Sequence, residues 1–261
     1  MALITEAALR GMLKKGIPNP YPINEGDKLT PAALDFLKGR GIPLKPLKAT
    51  EHLQQSEQTA AEQFIPVGVS NRHVHLSPED VEKLFGPGYS LTPLRDLSQP
   101  GQFAANEQVA LVGPKGIIQG VRVLGPSRGA SQVEISRTDG FQLGIHAPVR
   151  LSGDIEGTPG VALIGPKGCV VLDKGVIIAK CHVHMSPADA DRLDVQNGDS
   201  LILQTTGERP IIFPDVAVRV SPNYALDFHI DLDEANAAHM KTGDTVKVTG
   251  KNGKLLSWPG R

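Results

Sequence analysis

Apolar and polar residues alternate in short runs through most of this chain, and glycine or proline closes nearly every run. From about Phe64 onward the runs fall at 64–70, 107–112, 117–124, 132–137, 161–165, 169–172, 175–184, 200–205, 210–220, 225–231 and 244–249. That rhythm predicts strands joined by tight turns. Short helices are predicted after Ser77-Pro78 and Ser186-Pro187, where serine can cap and proline suits the first helical position. The opening of the chain has a helical period instead. Residues 3–15 place Ile4, Ala8, Leu9, Met12 and Leu13 on one face, with Glu6, Arg10 and Lys14 away from it. Gly16 ends this helix, and Pro18, Pro20 and Pro22 block a restart. A second helix is predicted at 31–38, opened by Thr30-Pro31 and closed by Gly39. Residues 45–63, rich in Gln, Glu, Lys and Ala, read as a solvated linker. The pattern leaves two readings of the first 60 residues equally open: a disordered tail or surface helix, and an address peptide or docking helix.

Composition narrows the class. With 40% hydrophobic residues the chain can build a real core. A net charge of -1 gives no broad attraction to nucleic acid or anionic membrane, and 4% aromatics leave little for base stacking. Neither nucleic acid nor membrane is therefore an expected partner. Two cysteines, Cys169 and Cys181, rule out a disulfide framework and suit a reducing interior. No stretch approaches the roughly eighteen apolar residues of a membrane span, and no secretory signal is expected.

An internal repeat carries the most information. His73-Val74-His75-Leu76-Ser77-Pro78-Glu79-Asp80 returns as His182-Val183-His184-Met185-Ser186-Pro187-Ala188-Asp189, with six of the eight positions identical. Downstream, Val121-Arg122-Val123 can be laid over Val218-Arg219-Val220. With a two-residue gap after these, Glu134 then falls opposite His229. Each half would own a His-x-His pair and one further ligand-type residue. A second repeat runs between them, Val109 to Gly116 against Val161 to Gly168, each a strand ending in Gly-Pro-Lys-Gly. Gly198-Asp199 and Gly243-Asp244 both precede strands. Two small barrels of related design are the simplest account.

Residues i and i+2 of a strand share a face, so both imidazoles of His-Val-His can meet one ion. Neutral imidazole suits zinc, and a carboxylate or third imidazole completes a trio that leaves coordination positions open, as catalytic sites do. One His-x-His would be read as a pair of core histidines; two in matching contexts favour metal. His52, His146 and His239 lack this context and are not expected to be ligands. Arg128, in Gly125-Pro126-Ser127-Arg128-Gly129, can be a surface arginine or a phosphate clamp on pattern alone. Lys115 and Lys167 read as turn lysines, and Cys181 as packing. Arg95 and Asp96 could be a loop ion pair or a lid contact.

Asn71-Arg72-His73-Val74-His75-Leu76-Ser77, the stretch from Leu91 to Ala104 around Leu94-Arg95-Asp96-Leu97, Leu124-Gly125-Pro126-Ser127-Arg128 and Cys181-His182-Val183-His184 together resemble the PduL-type phosphate propanoyltransferases, phosphotransacylases of bacterial microcompartments. The resemblance covers about residues 64 to 250. It implies exchange of a short acyl group, propanoyl or acetyl, between coenzyme A and inorganic phosphate. It also implies a mostly β fold of two interleaved antiparallel β-barrels capped by short α-helices, with an N-terminal helical extension. The expected division is an encapsulation peptide and linker over 1–60, a strand joining the C-terminal barrel over 61–71, a central barrel over 72–179 and a C-terminal barrel over 180–250. Two metals, normally zinc, are implied, one on His73, His75 and Glu134 and the other on His182, His184 and His229. Arg128 matches the phosphate-binding arginine, and Ser70, Asn71, Lys115, Arg122 and Asn236 match coenzyme A contacts. The N-terminal helix resembles the peptides that carry such enzymes to microcompartment shell or core partners in the lumen, and a homo-oligomer is expected. The rival enzyme class is a zinc hydrolase of thioesters or phosphoesters; a non-enzymatic barrel scaffold with structural zinc is the other alternative.

Overall fold

In a computed structural model, residues 3–14, 16–24, 26–47 and 64–256 are described. The chain divides into two units, Met1–Glu62 and Gln63–Arg261. Among the described residues, no helix is long and apolar enough to cross a membrane.

The first unit is not purely helical. Strand β1 (Leu3–Ile4) pairs with β3 (Lys28–Leu29), and β2 (Tyr21–Asn24) with β4 (Leu44–Leu47), both parallel. Thr5 caps α1 (Glu6–Gly11), and Thr30 caps α2 (Pro31–Lys38), the helix expected at 31–38. The first helix is shorter than the 3–15 run, giving way to a 3-10 turn at Met12–Lys14. Of its expected apolar face only Leu9 is fully buried, while Ala8, Met12 and Leu13 are exposed. Leu9, Tyr21, Ala33, Phe36 and Leu37 form a small core of their own. Most of the expected linker, from residue 48 to 63, lies outside the described residues; its start is β4.

The second unit is mostly β. Its strands are β5 (Phe64–Ser70), β6 (His73–His75), β7 (Pro93–Asp96), β8 (Phe103–Val112), β9 (Ile117–Gly125), β10 (Gln132–Glu134), β11 (Val149–Arg150), β12 (Val161–Ile164), β13 (Cys169–Leu172), β14 (Val176–Ala179), β15 (His182–Met185), β16 (Ser200–Thr205), β17 (Ile212–Val220), β18 (Asp227–Asp231), β19 (Thr245–Lys251) and β20 (Lys254–Leu255). Four helices interrupt them: α3 (Pro78–Phe85), α4 (Arg137–Leu143), α5 (Pro187–Leu193) and α6 (Leu232–Ala238).

Two sheets result. In the order β16-β17-β15-β18-β5-β19, the last strand pairs back onto the first, so six strands close a barrel. The other sheet runs β11-β14-β10-β6-β9-β8-β12-β13, with β7 added on β8, and stays open. Only one of the two expected barrels is therefore closed. Nor are they simply antiparallel: β6–β9, β10–β14, β15–β17 and β18–β5 are parallel pairs. In β6–β9, β10–β14 and β15–β17 the connecting segment includes a helix, and such a long crossover permits parallel pairing. Burial alternates along β8, β9 and β19, giving each sheet an inward apolar face. One core gathers Val74, Leu84, Leu111, Val123 and Val133; the other gathers Ile65, Val183, Leu201, Val218 and Phe228.

The halves repeat one arrangement. Strand β6 lies between parallel β9 and antiparallel β10, as β15 lies between parallel β17 and antiparallel β18. Val74 faces Val123, and Val183 faces Val218. Val123 therefore corresponds to Val218, so the overlay of Val121 on Val218 expected from sequence is two residues out. With this register Glu134 falls on His229 at the same chain offset, and the assumed gap disappears. The error has a simple cause: a period-two pattern looks the same after a slip of two residues.

Candidate active site

Each His-x-His strand ends where a helix begins, and the cap fixes that junction. Ser77 caps α3 and Ser186 caps α5; Ser136 caps α4 and Asp231 caps α6, after the strands that bring Glu134 and His229. On the first sheet Glu134 sits directly across from His73, and on the barrel His229 sits across from His182. In the first trio His73 Nε2 lies 3.4 Å from Glu134 Oε2, and His75 Nε2 lies 4.0 Å from Oε1. In the second the ring centroids are 4.6 Å apart for His182 and His184, 5.2 Å for His182 and His229, and 4.8 Å for His184 and His229. Within each trio one donor atom per residue lies within 4.8 Å of the others.

The surroundings fix the orientation of these side chains. Nδ1 of His73 donates to the Asn71 carbonyl at 2.8 Å, and Nδ1 of His182 to the Lys180 carbonyl at 2.7 Å. Both bonds turn Nε2 away from the backbone, a device common among metal-binding histidines. The third member of each trio is held from two residues earlier on its own strand: Gln132 Nε2 donates to Glu134 Oε1 at 2.6 Å, and Asp227 Oδ2 meets His229 Nε2 at 3.0 Å. Gly68 makes room for Asp227, since a Cβ there would stand 2.7 Å from Oδ2. By contrast, both ring nitrogens of His184 and Nδ1 of His75 are buried with no hydrogen-bond partner among the described residues. Such orphans are costly unless something outside the chain satisfies them, and a divalent ion fits this donor set.

Electrostatics agree with that fit. Burial, then neighbouring His73, pushes His75 down to about 3. Burial, then His229, takes His182 down to about 4, and burial with its two partner histidines takes His184 to about 2. These imidazoles are neutral, the form that binds metal. Burial opposes charge on Glu134 and on His73 alike, but each outweighs it for the other: Glu134 stays well below the usual carboxylate range and His73 lies above its ordinary value.

All six residues line one cavity of about 860 Å³, together with Arg128, Arg122, Ser70 and Asn71. Arg128 is half-buried, its backbone N–H bound to the Leu76 carbonyl and its Nη1 donating to Ser152 Oγ at 3.2 Å. Arg95 and Asp96, left undecided by sequence, also line it. Lys115 and Asn236 do not; both are exposed outside that lining. The backbone of Lys115 binds the Leu143 carbonyl at the end of α4 at 3.0 Å, as Lys167 binds Leu84 at the end of α3. The repeated Gly-Pro-Lys-Gly turns are helix stops. His146 and His239 are exposed and join neither trio, and His52 lies outside the described residues. Cys181 packs against the barrel core, its thiol pushed up to about 12 by burial and then by Glu234. Sequence reading missed Gln132, Asp227, Ser152 and Tyr224. The signal for the first two was a polar residue two before the third member of each trio; Ser152 and Tyr224 sit in loops without pattern.

A mostly β fold that converges its polar strand ends on one cavity is the framework of an enzyme, and its relatives are transferases. The family described as phosphate propanoyltransferase matches residues 66–241. A phosphate propanoyltransferase of Thermotoga maritima is 60% identical over 185 residues, covering 70% of this chain and 88% of the relative. Those of Listeria monocytogenes and Clostridioides difficile are 54% and 51% identical, covering 72% and 73% of this chain and 88% and 91% of the relatives. The chain belongs to the phosphate propanoyltransferase family.

Proposed function

We propose that the protein exchanges a short acyl group, propanoyl or acetyl, between coenzyme A and inorganic phosphate in the cavity between its two sheets. The family assignment supports the reaction. The observation that carries its siting is the meeting of both ligand trios and Arg128 on that cavity. His73, His75 and Glu134 would hold one divalent metal, and His182, His184 and His229 the other, zinc being the candidate. When bound, such ions supply positive charge for a developing oxyanion and for a departing thiolate. Arg128 binds phosphate through its planar guanidinium and aims an oxygen at the thioester carbonyl. Ser70, Asn71 and Arg122 border the coenzyme; Lys115 and Asn236 serve only a part of it that extends beyond the cavity. Arg122 already donates to the carbonyls of Ala105 and Asn106, at 3.0 and 2.8 Å, which fixes its guanidinium rather than freeing it.

The setting we propose is the lumen of a bacterial microcompartment. Residues 1–60 act as address and linker to shell or core enzymes, residues 61–71 supply a strand to the C-terminal barrel, and residues 72–179 and 180–250 form the central and C-terminal halves of a homo-oligomer's subunit. The test of the reaction is coenzyme A release from a series of acyl-CoAs with and without phosphate. Release should require phosphate and leave acyl phosphate; phosphate-independent release would favour a hydrolase. Replacing Arg128 with Ala should raise the phosphate KM at least tenfold, the loss expected when charge-assisted bonds to an anion go, with a smaller change for acyl-CoA. Unchanged phosphate kinetics would refute the role of Arg128.

A further inference from the structure

The corrected register leaves one arginine without a role. Arg122 and Arg219 share a Val-Arg-Val sequence, yet Arg122 pairs with His73 and Arg219 with His184. In a parallel pair, register partners share a face, so Arg219 stands beside the second trio on the cavity side. The cavity lining includes it. Unlike that of Arg122, its guanidinium makes no hydrogen bond or ion pair among the described residues, although it is only partly exposed. Tyr224 lies beside it, with its ring 6.0 Å from Cζ and stacked on His184 at 4.2 Å with an interplanar angle of 29°.

Several other charges on the cavity lining are paired. Lys180 reaches Asp215 at 2.7 Å, Arg72 reaches Asp139 at 3.0 Å, and Asp227 holds His229. Arg128 has only the neutral Ser152 hydroxyl. Arg128 and Arg219 thus line the same cavity, both partly buried, neither in an ion pair and neither held by backbone carbonyls as Arg122 is; Arg219 opposes the charge on Arg128, after burial and less strongly than Glu134 supports it. Both side chains are left with donors that an anion in the cavity could take up.

We propose that Arg219 is a second phosphate-binding residue, clamping the anion from the barrel side while Arg128 holds it from the open sheet. The inference rests on the acyl-transfer reading above and extends it. A phosphate dianion has oxygens enough for two forked donors, and two guanidiniums match its charge as one does not. The same pair would hold the phosphoryl end of acyl phosphate in the reverse direction.

The test uses metal-replete protein and variants Arg219→Gln and Arg219→Lys, with phosphate binding followed by calorimetry, phosphate and acyl-CoA KM by steady-state kinetics, and metal content by elemental analysis. Arg219→Gln should weaken phosphate binding and raise phosphate KM about tenfold or more, leave acyl-CoA KM within about twofold, and retain its metal. Arg219→Lys, which keeps charge but not the fork, should fall between. Unchanged phosphate affinity in Arg219→Gln would overturn the proposal. So would a loss of affinity only in proportion to lost metal, because Arg219 would then be supporting His184 instead of substrate. Should wild-type protein fail to transfer acyl groups to phosphate, the reaction assignment falls, while the calorimetric comparison still decides the clamp.

Discussion

Asp227 and Gln132 occupy the same place in two related strands, two residues before the third member of each trio, and each presents what its neighbour lacks. Glutamate receives an amide donor and histidine a carboxylate acceptor. Outer partners of this kind set ligand orientation, and their loss commonly costs about 10–100-fold in metal affinity. Asp227→Ala should therefore weaken metal binding at the His182 trio by that order and leave the His73 trio unchanged, as competition with a chromophoric chelator would reveal; equal affinities at both would contradict the assignment. The six trio residues were legible because His-x-His matches the two-residue period of a strand and occurs twice. Ser152 was not, since it follows β11 in a loop whose sequence carries no period. Arg219 was visible in the repeat but misassigned, because a two-residue slip leaves Val-x-Val unchanged.

At the scale of elements, helix stops explain a repeat that the sequence showed without explaining. Gly113 and Gly165 approach the ends of α4 and α3 so closely that a Cβ would stand 2.3 Å from the Leu143 carbonyl and 2.5 Å from that of Leu84. Backbone atoms cannot yield as a flexible side chain can. Gly113→Ala and Gly165→Ala should each destabilise the fold by roughly 1–3 kcal/mol, the usual cost of overpacking, measured by urea denaturation; a cost near zero in both would mean the turns do not seat on these helices. Most strands were legible from alternation. The run at 175–184 is two strands, β14 and β15, broken at Lys180 and Cys181, because no glycine or proline marks the point where the chain changes sheets. Helices α4 and α6 were not foreseen. Each spans seven residues, too few to establish a helical period, and α4 carries Gly140 in its interior. Their capping boxes, Ser136 with Asp139 and Asp231 with Glu234, were the available signal.

At the scale of the whole molecule, a related unit occurs twice in the second part of the chain. In each, the His-x-His strand is flanked by a parallel and an antiparallel neighbour and followed by a capped helix. One copy closes into a barrel because β5 and β19 complete the circuit; the other is extended by β12 and β13 and stays open. Sequence could not separate these outcomes, since closure depends on pairing between distant strands rather than on the pattern within any one. The central claim is that both trios bind ions needed for acyl exchange. Its most direct test is phosphate-dependent thiol release from propanoyl-CoA as zinc is titrated into chelated, folded protein. Activity should be absent at the start and level off near two equivalents per chain, one for each trio. Full activity before any zinc is added would contradict the account.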